Sequence, residues 1–236
     1  MTTSRNAYAL PMHQQVSEML IREIAAGRMI EGEKLPPERD MAAGLGIAVG
    51  TLRKALGDLE RKGLLSRIQG SGNYVRSQPD VASVYSMFRL ELLEGGGLPT
   101  ARVLSVDRLA KPMDLPVFGS SSEAHRIRRL RSLSGKPAAL EEIWLDGARV
   151  ETVAIEELSD SLYLYYRKVL GFWILRAEDR VGVGQVPGWA LPEFGLAPGA
   201  AAGFIERTGW MQDGASAEFS RTWFDHGVAR YVARLR

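Results

Sequence analysis

Leu35-Pro36-Pro37-Glu38-Arg39-Asp40-Met41-Ala42-Ala43-Gly44-Leu45-Gly46-Ile47-Ala48-Val49-Gly50-Thr51-Leu52-Arg53-Lys54-Ala55-Leu56 reads as a short helix, a glycine turn and a second helix. The two prolines suit a helix start, where a missing N–H costs nothing, and Glu38 and Asp40 favour the positive end of the helix dipole. Gly44 and Gly46 supply the left-handed backbone that ends one helix and redirects the chain. The second helix is expected from about Ala48 to Lys62. There Leu52, Ala55, Leu56 and Leu59 keep the spacing of a buried stripe, while Gly50, Arg53, Lys54, Gly57 and Arg61 fall on the other side. An apolar inner face and a basic, small-residue outer face give the shape of a helix-turn-helix.

Working outward, Met12, Val16, Leu20 and Ile24 recur every four residues, so an amphipathic helix is expected from Met12 to about Ala26, closed by Gly27. After Gly63, Leu64 to Ile68 reads as a strand, Gln69-Gly70-Ser71-Gly72 as a turn and Asn73 to Arg76 as the return strand. Three helices and a hairpin make a winged helix-turn-helix. Within 48–76 there are six Lys+Arg against two Asp+Glu, although the whole chain is only +2. That local excess is the footprint expected of a nucleic-acid binder, and equally of a solvated charged face.

The rest of the chain is strand-rich, which makes the protein α+β. Ser77-Gln78-Pro79-Asp80 reads as a linker, Val81 to Glu94 fits helix and strand spacing alike, and Gly95 to Pro99 is a turn. Strands are expected at Arg102 to Leu109, His125 to Leu133, Ala139 to Leu145, Phe172 to Gly184, Gly203 to Met211, Ala217 to Phe224 and Tyr231 to Leu235. Ser134 to Pro137 and Asp213-Gly214 are hairpin turns. A helix capped by Ser159 or Asp160 is expected to run to Leu170. Alternation puts Arg129 and Arg131 on one strand face, Glu141 on the next strand, and Glu218, Ser220, Thr222 and Phe224 together on a third. Two guanidiniums beside a carboxylate suit a polar, anionic small molecule, bound by planar bidentate hydrogen bonds. They equally suit a structural ion pair, and pattern alone does not choose.

Several classes are disfavoured. The 236 residues hold no cysteine, so disulfide and thiolate chemistry are excluded. No apolar run approaches the roughly 18 residues of a membrane span, and no secretory signal is visible, so a cytoplasmic protein without a membrane partner is expected. His13, His125 and His226 are scattered, with no metal-ligand spacing, phosphate loop or nucleophile elbow nearby. No metal or cofactor and no catalytic residue are expected. Trp144, Tyr163, Tyr165, Tyr166, Trp189, Trp210 and Trp223 read as core or dimer packing, with one or two available to line a pocket.

Residues 12–76 resemble the DNA-binding domain of the GntR family of bacterial transcription regulators. The resemblance rests on Leu35-Pro-Pro-Glu-Arg39, Leu45-Gly-Ile47, Thr51-Leu-Arg-Lys-Ala-Leu56, Gly63-Leu-Leu65 and Gly70-Ser-Gly-Asn-Tyr-Val75, in order and at family spacing. It implies DNA contacts at Arg39, Thr51, Arg53, Gly70 and Gly72, to which the outer-face residues Gly50 and Lys54 are added. The chain departs from the family at Ala48-Val49-Gly50, where a capping hydroxyl and a basic residue are usual. Residues 100–232 are similar to the UTRA effector domain of the HutC subfamily, whose fold resembles chorismate lyase. That similarity rests on Arg126 to Arg131, Pro137 to Glu141, Ser161 to Tyr163, Leu196, Gly199, Glu206-Arg207 and Glu218 to Asp225. It implies effector contacts at Arg129, Arg131, Glu141, Arg180, Glu218 and Phe224. The resulting expectation is a winged head at 1–76, a linker at 77–99 and an effector-binding and dimerisation domain at 100–236. The protein would be a homodimeric, ligand-responsive repressor of a palindromic double-stranded DNA operator, with a lyase-like enzyme fused to a DNA-binding head as the alternative.

Overall fold

The computed structural model describes residues 11–25, 28–76, 87–158 and 160–233. The chain forms two units. One combines the N-terminal helices and hairpin, through Arg89, with Gly96–Leu98; the other takes in Leu90–Gly95 and Pro99–Arg230.

The first unit contains α1 (Met12–Ala25), α2 (Glu38–Gly44) and α3 (Val49–Arg61), then the antiparallel hairpin of β1 (Leu65–Ile68) and β2 (Gly72–Val75). Its core is the apolar stripe read from the sequence: Val16, Leu20 and Ile24 of α1 meet Leu52, Ala55, Leu56 and Leu59 of α3, closed by Leu64, Leu65 and Val75. No side chain caps α3: Ala48 is its N-cap and accepts no N–H through a side chain. A missing cap typically costs about 1 kcal/mol, which this core tolerates. The wing turn needs left-handed backbone at Gly70 (φ 74°), and a Cβ on Gly72 would press on the Lys34 side chain at 3.1 Å. The expected closure of α1 at Gly27, the expected linker 77–80 and the first ten residues lie outside the described residues.

The second unit is built on β4 (Pro99–Ala110), β5 (Glu123–Leu133), β6 (Lys136–Asp146), β7 (Ile174–Gln185), β8 (Ala201–Met211) and β9 (Ser216–Phe224). Preceding them in the chain, β3 (Leu90–Leu92) pairs with β10 (Ala229–Tyr231) in a small separate sheet. The six long strands form one antiparallel sheet in the order β4-β5-β6-β9-β8-β7. A helix, α4 (Leu162–Tyr165), runs on as a π-helical turn over Tyr166–Leu170 and ends at Gly171 in left-handed conformation. Its cap is Ser161, whose Oγ accepts from Leu164 N–H, and not Asp160; Ser159 lies outside the described residues. The first hairpin turn is tighter than expected, because Lys136 and Pro137 already pair with Leu133 and Ser132. The open stretch Val81–Glu94 contains a strand at Leu90–Leu92, its residues 81–86 lying outside the described set. Among the described residues no helix is long and apolar enough to cross a membrane.

The register gives the sheet two unlike faces. On one, Arg129 pairs across to Glu141, Glu141 to Thr222 and Thr222 to Ile205; two residues further along, Ile143, Ser220, Arg207 and Asp179 line up. The segment 160–166 lies over this face, through hydrogen bonds from Arg129, Arg131, Tyr163 and Tyr166. The other face carries two apolar patches. Loop 186–200 covers Leu130, Leu140 and Trp223, and the segment with Leu115 and Phe118 covers Trp144 and Phe219.

Candidate functional site

On the helix-covered face, Arg129, Arg131, Glu141 and Glu218 come together with 3–7% exposure. Arg129 Nη2 lies 2.7 Å from Glu141 Oε2, and Arg131 reaches both oxygens of the same carboxylate at 3.3 and 3.2 Å. Two guanidiniums therefore share one carboxylate. Burial alone would raise the Glu141 carboxyl, but Arg129 and Arg131 outweigh it and hold the group below its usual range. Burial and the neighbouring Arg131 press on the Arg129 charge, and Arg129 Nε is buried with no hydrogen-bond partner among the described residues. A buried unsatisfied donor of a charged group is costly, which makes it a place for an acceptor to bind.

Glu218 is held differently. Tyr166 Oη donates to Glu218 Oε2 at 2.5 Å and Tyr163 Oη to Oε1 at 3.3 Å. Burial pushes the Glu218 carboxyl up, more than the Tyr166 hydrogen bond and the Arg207 and Arg129 charges pull it down. The two tyrosines are raised in turn, by burial and by Glu218. Because the folded carboxyl binds its proton more tightly than the unfolded one, its contribution favours folding most below pH ~4.5 and declines as pH rises through the folded value. Glu218→Gln removes that decline. Thermal unfolding of the full chain is expected to show wild type and variant alike near pH 4, with the variant gaining relative to wild type toward pH 8. Parallel pH curves would contradict this protonation assignment.

Beside Glu218, Arg207 makes a bidentate pair with Asp179, at 2.5 and 2.6 Å. Burial opposes the Arg207 charge, but the Asp179 hydrogen bonds hold it firmly protonated. Sequence reasoning gave neither residue a role here; their partnership is cross-strand, between β7 and β8. Phe224 is on this face too, packed so closely on Gly203 that a Cβ there would meet its ring at 2.1 Å.

Arg180 is not. One residue along β7 from Asp179, it points from the opposite face, pairs in register with Glu206 and bonds Glu178. Successive side chains on a strand alternate, so Asp179, not Arg180, is the β7 charge facing the cluster.

Asp160 ties the cluster to β4. Its carbonyl accepts from Arg131 Nη1 at 3.0 Å and Arg129 Nη1 at 3.4 Å, and its carboxylate accepts from Ala101 N–H at 2.7 Å. Immediately before β4, Leu98 is part of the core of the first unit, and Gly97 O accepts from the buried Arg22 at 3.4 Å.

The first unit presents a basic face. Arg39, Gly50, Arg53, Lys54 and Gly70 are exposed, and Thr51 and Gly72 partly so. Arg53 Nε donates to Glu38 Oε2 at 2.6 Å, and wing residue Arg67 lies 3.7 Å from the same carboxylate. Arg53 and Arg67 hold Glu38 below its usual range, with the Arg53 hydrogen bond the largest influence. A shallow concavity of about 310 Å³ beside Arg53 is lined by His13, Lys54, Gly57, Asp58 and Arg61. A Cβ at Gly50 would meet nothing within 4 Å, so the start of α3 is a low, open surface. His125 is buried against the Val150 carbonyl at 2.9 Å, a structural placement. Among the described residues no group of three His, Cys, Asp or Glu is arranged to hold a metal.

Comparison with known proteins follows the same division. Residues 12–75 match the model of bacterial regulatory proteins of the gntR family, and residues 94–227 match that of the UTRA domain. The HTH-type transcriptional regulator SmoD of Agrobacterium fabrum is 64% identical over 228 residues, covering 97% of each chain. The HTH-type transcriptional repressor NagR of Bacillus subtilis is 25% identical, covering 96% of each. The solved structure of YydK, a possible transcriptional regulator from Bacillus subtilis, shares the fold with a TM-score of 0.54 at 22% identity, over 96% of this chain and 100% of that one.

Proposed function

The chain belongs to the bacterial transcription regulators that join a gntR-type DNA-binding domain to a UTRA domain, and from that premise we propose that it is a dimeric, ligand-responsive repressor of a palindromic operator, in the cytoplasm, with no catalytic role. The repressor reading draws on NagR, whose name says as much of that protein. Arg39, Thr51, Arg53, Lys54 and the wing around Gly70 and Gly72 are assigned to the DNA. Backbone contacts give most of the affinity, so binding falls steeply with salt. The open surface at Gly50 suits close approach of α3 to base edges.

The effector is a small polar metabolite with an anionic group. The observation that carries this is the sharing of one carboxylate by Arg129 and Arg131, with Arg129 Nε left unsatisfied. An incoming anion competes with Glu141 and the Asp160 carbonyl for those guanidiniums. Glu218, Tyr163 and Tyr166 offer hydrogen bonds to hydroxyl groups, and Phe224 an apolar wall. Arg180 has no part in this reading.

Asp160 is the coupling residue. An effector that draws Arg129 and Arg131 away loosens the carbonyl of the residue whose carboxylate fixes the start of β4. Leu98, one residue before that strand, is anchored in the head. An effector shifts DNA binding only if it favours one head arrangement over the other, and this linkage supplies such a difference. The test is a thermal-shift screen of the full chain against anionic metabolites, followed by operator titration with each hit. Asp160→Ala is expected to keep the thermal shift while losing most of the effect of the hit on DNA, its operator affinity without the hit moving toward that of the liganded wild type. An unchanged response would remove Asp160 from the route; no thermal shift with any anionic compound would count against the anionic effector.

A further inference from the structure

The sheet carries an alternating ladder of charge on the face opposite the buried cluster. Arg128 on β5 stands in register with Glu142 on β6, Glu142 with Arg221 on β9, Arg221 with Glu206 on β8, and Glu206 with Arg180 on β7. Arg128 bonds Glu142 at 2.8 Å and Arg221 bonds Glu206 at 3.4 Å. Cross-strand pairs of opposite charge stabilise a sheet, and like charges directly opposite destabilise it. The ladder reads plus, minus, plus, minus, plus, and it stops at an exposed arginine on an edge strand. Its next rung would be a carboxylate on a seventh strand.

The two edges of this sheet are not alike. At β4 the edge is blunted: the register shifts between Val103 and Ser105, and Ala101 N–H is taken by Asp160. At β7 the strand runs twelve residues with, among the described residues, a neighbour on one side only, and Leu175, Val181 and Val183 are 62, 52 and 78% exposed, with Trp173 just before them at 46%. A long, apolar, uncovered edge is a template for pairing with another strand.

We infer that β7 is the surface by which two copies of this chain join, edge to edge and antiparallel, about a two-fold axis at Asp179. This rests on the dimer proposed above and names its surface. In that register Glu178 of each copy faces Arg180 of the other, which supplies the missing rung twice. Ala177 faces Val181, and Leu175 of one copy comes toward Val183 of the other. The two Asp179 carboxylates meet at the axis, each neutralised by its own bidentate Arg207. Moving the axis by one residue toward either neighbour places Arg180 against Arg180 or Glu178 against Glu178, so the charges select one register. Such an interface is isologous, the same patch on both copies.

The test is charge reversal on the full-length chain, read by light scattering over a dilution series. Glu178→Arg alone and Arg180→Glu alone are each expected to weaken dimerisation at least tenfold. The double variant Glu178→Arg/Arg180→Glu is expected to recover it. Both side chains are largely solvent-facing, so thermal unfolding of the variants serves as the control for an intact fold. Single variants that dimerise like wild type, or a double variant that stays weak, would overturn this surface while leaving a dimer formed elsewhere. A wild type that is monomeric at the highest concentration would overturn both the surface and the dimer.

Discussion

Arg53→Ala is expected to lower operator affinity by roughly 30-fold to more than 10⁴-fold while leaving the thermal unfolding of the head in place. The range follows from about 1–3 kcal/mol for one good guanidinium contact to a base edge, taken once per half-site of a dimer. Arg53 leaves the exposed side of α3, whose inner side holds the core of the head through Leu52, Ala55, Leu56 and Leu59. Arg53 pairs with Glu38, and that pair is exposed on the arginine side, worth little to stability. In the proposed complex the guanidinium would exchange Glu38 for phosphate or guanine O6 and N7, a geometry that suits arginine better than lysine. Fluorescence anisotropy against a labelled operator at several salt concentrations separates the two kinds of contact. Loss of a phosphate contact lowers affinity for all sequences and flattens the salt dependence by about one unit per site. Loss of a base contact lowers only the specific complex. Retained specific binding would remove α3 from the recognition role.

The head was legible from sequence because its information is local. Proline, glycine and the apolar spacing of α1 and α3 each act within a few residues of their own position, and they agree with one another. The hairpin strands of the second unit were legible for the same reason, period-two alternation bounded by turn residues. Arg129, Arg131 and Glu141 could be assigned to one face because their strands alternate cleanly. Arg180 could not be placed this way. On a strand a slip of one residue reverses the face, and the register shift between Ile174 and Arg176 sits at the start of β7. Asp160 had a visible capping signal, yet its carboxylate is used by Ala101, 59 residues away, while Ser161 caps α4. Asp179 with Arg207 and the charge ladder are properties of strand order, which no local pattern carries.

Arg131→Ala is expected to weaken binding of the anionic effector by about tenfold to a hundredfold, while the chain stays folded and still binds its operator specifically. A hydrogen bond to a charged group is worth about 1.5–3 kcal/mol, and in the proposed site Arg131 would give the anion the kind of hydrogen bond it gives Glu141. In wild type two guanidiniums answer one carboxylate, leaving a positive surplus for a ligand. Without Arg131, the Arg129–Glu141 pair is balanced and the surplus is gone. The remaining pair is close, at 2.7 Å, so the sheet is expected to stay folded. Isothermal titration with a compound first identified by thermal shift gives the affinity, and operator titration gives the head. Unchanged effector affinity would place the site away from the shared carboxylate.

The most direct test of the account as a whole is selection of bound sequences from random duplex DNA at moderate salt, using the full-length chain. Enrichment of an imperfect palindrome is expected, its two halves presenting successive major grooves to two identical heads. Enrichment of a single, non-repeated half-site, or none with or without anionic metabolites present, would contradict a dimeric operator-reading regulator.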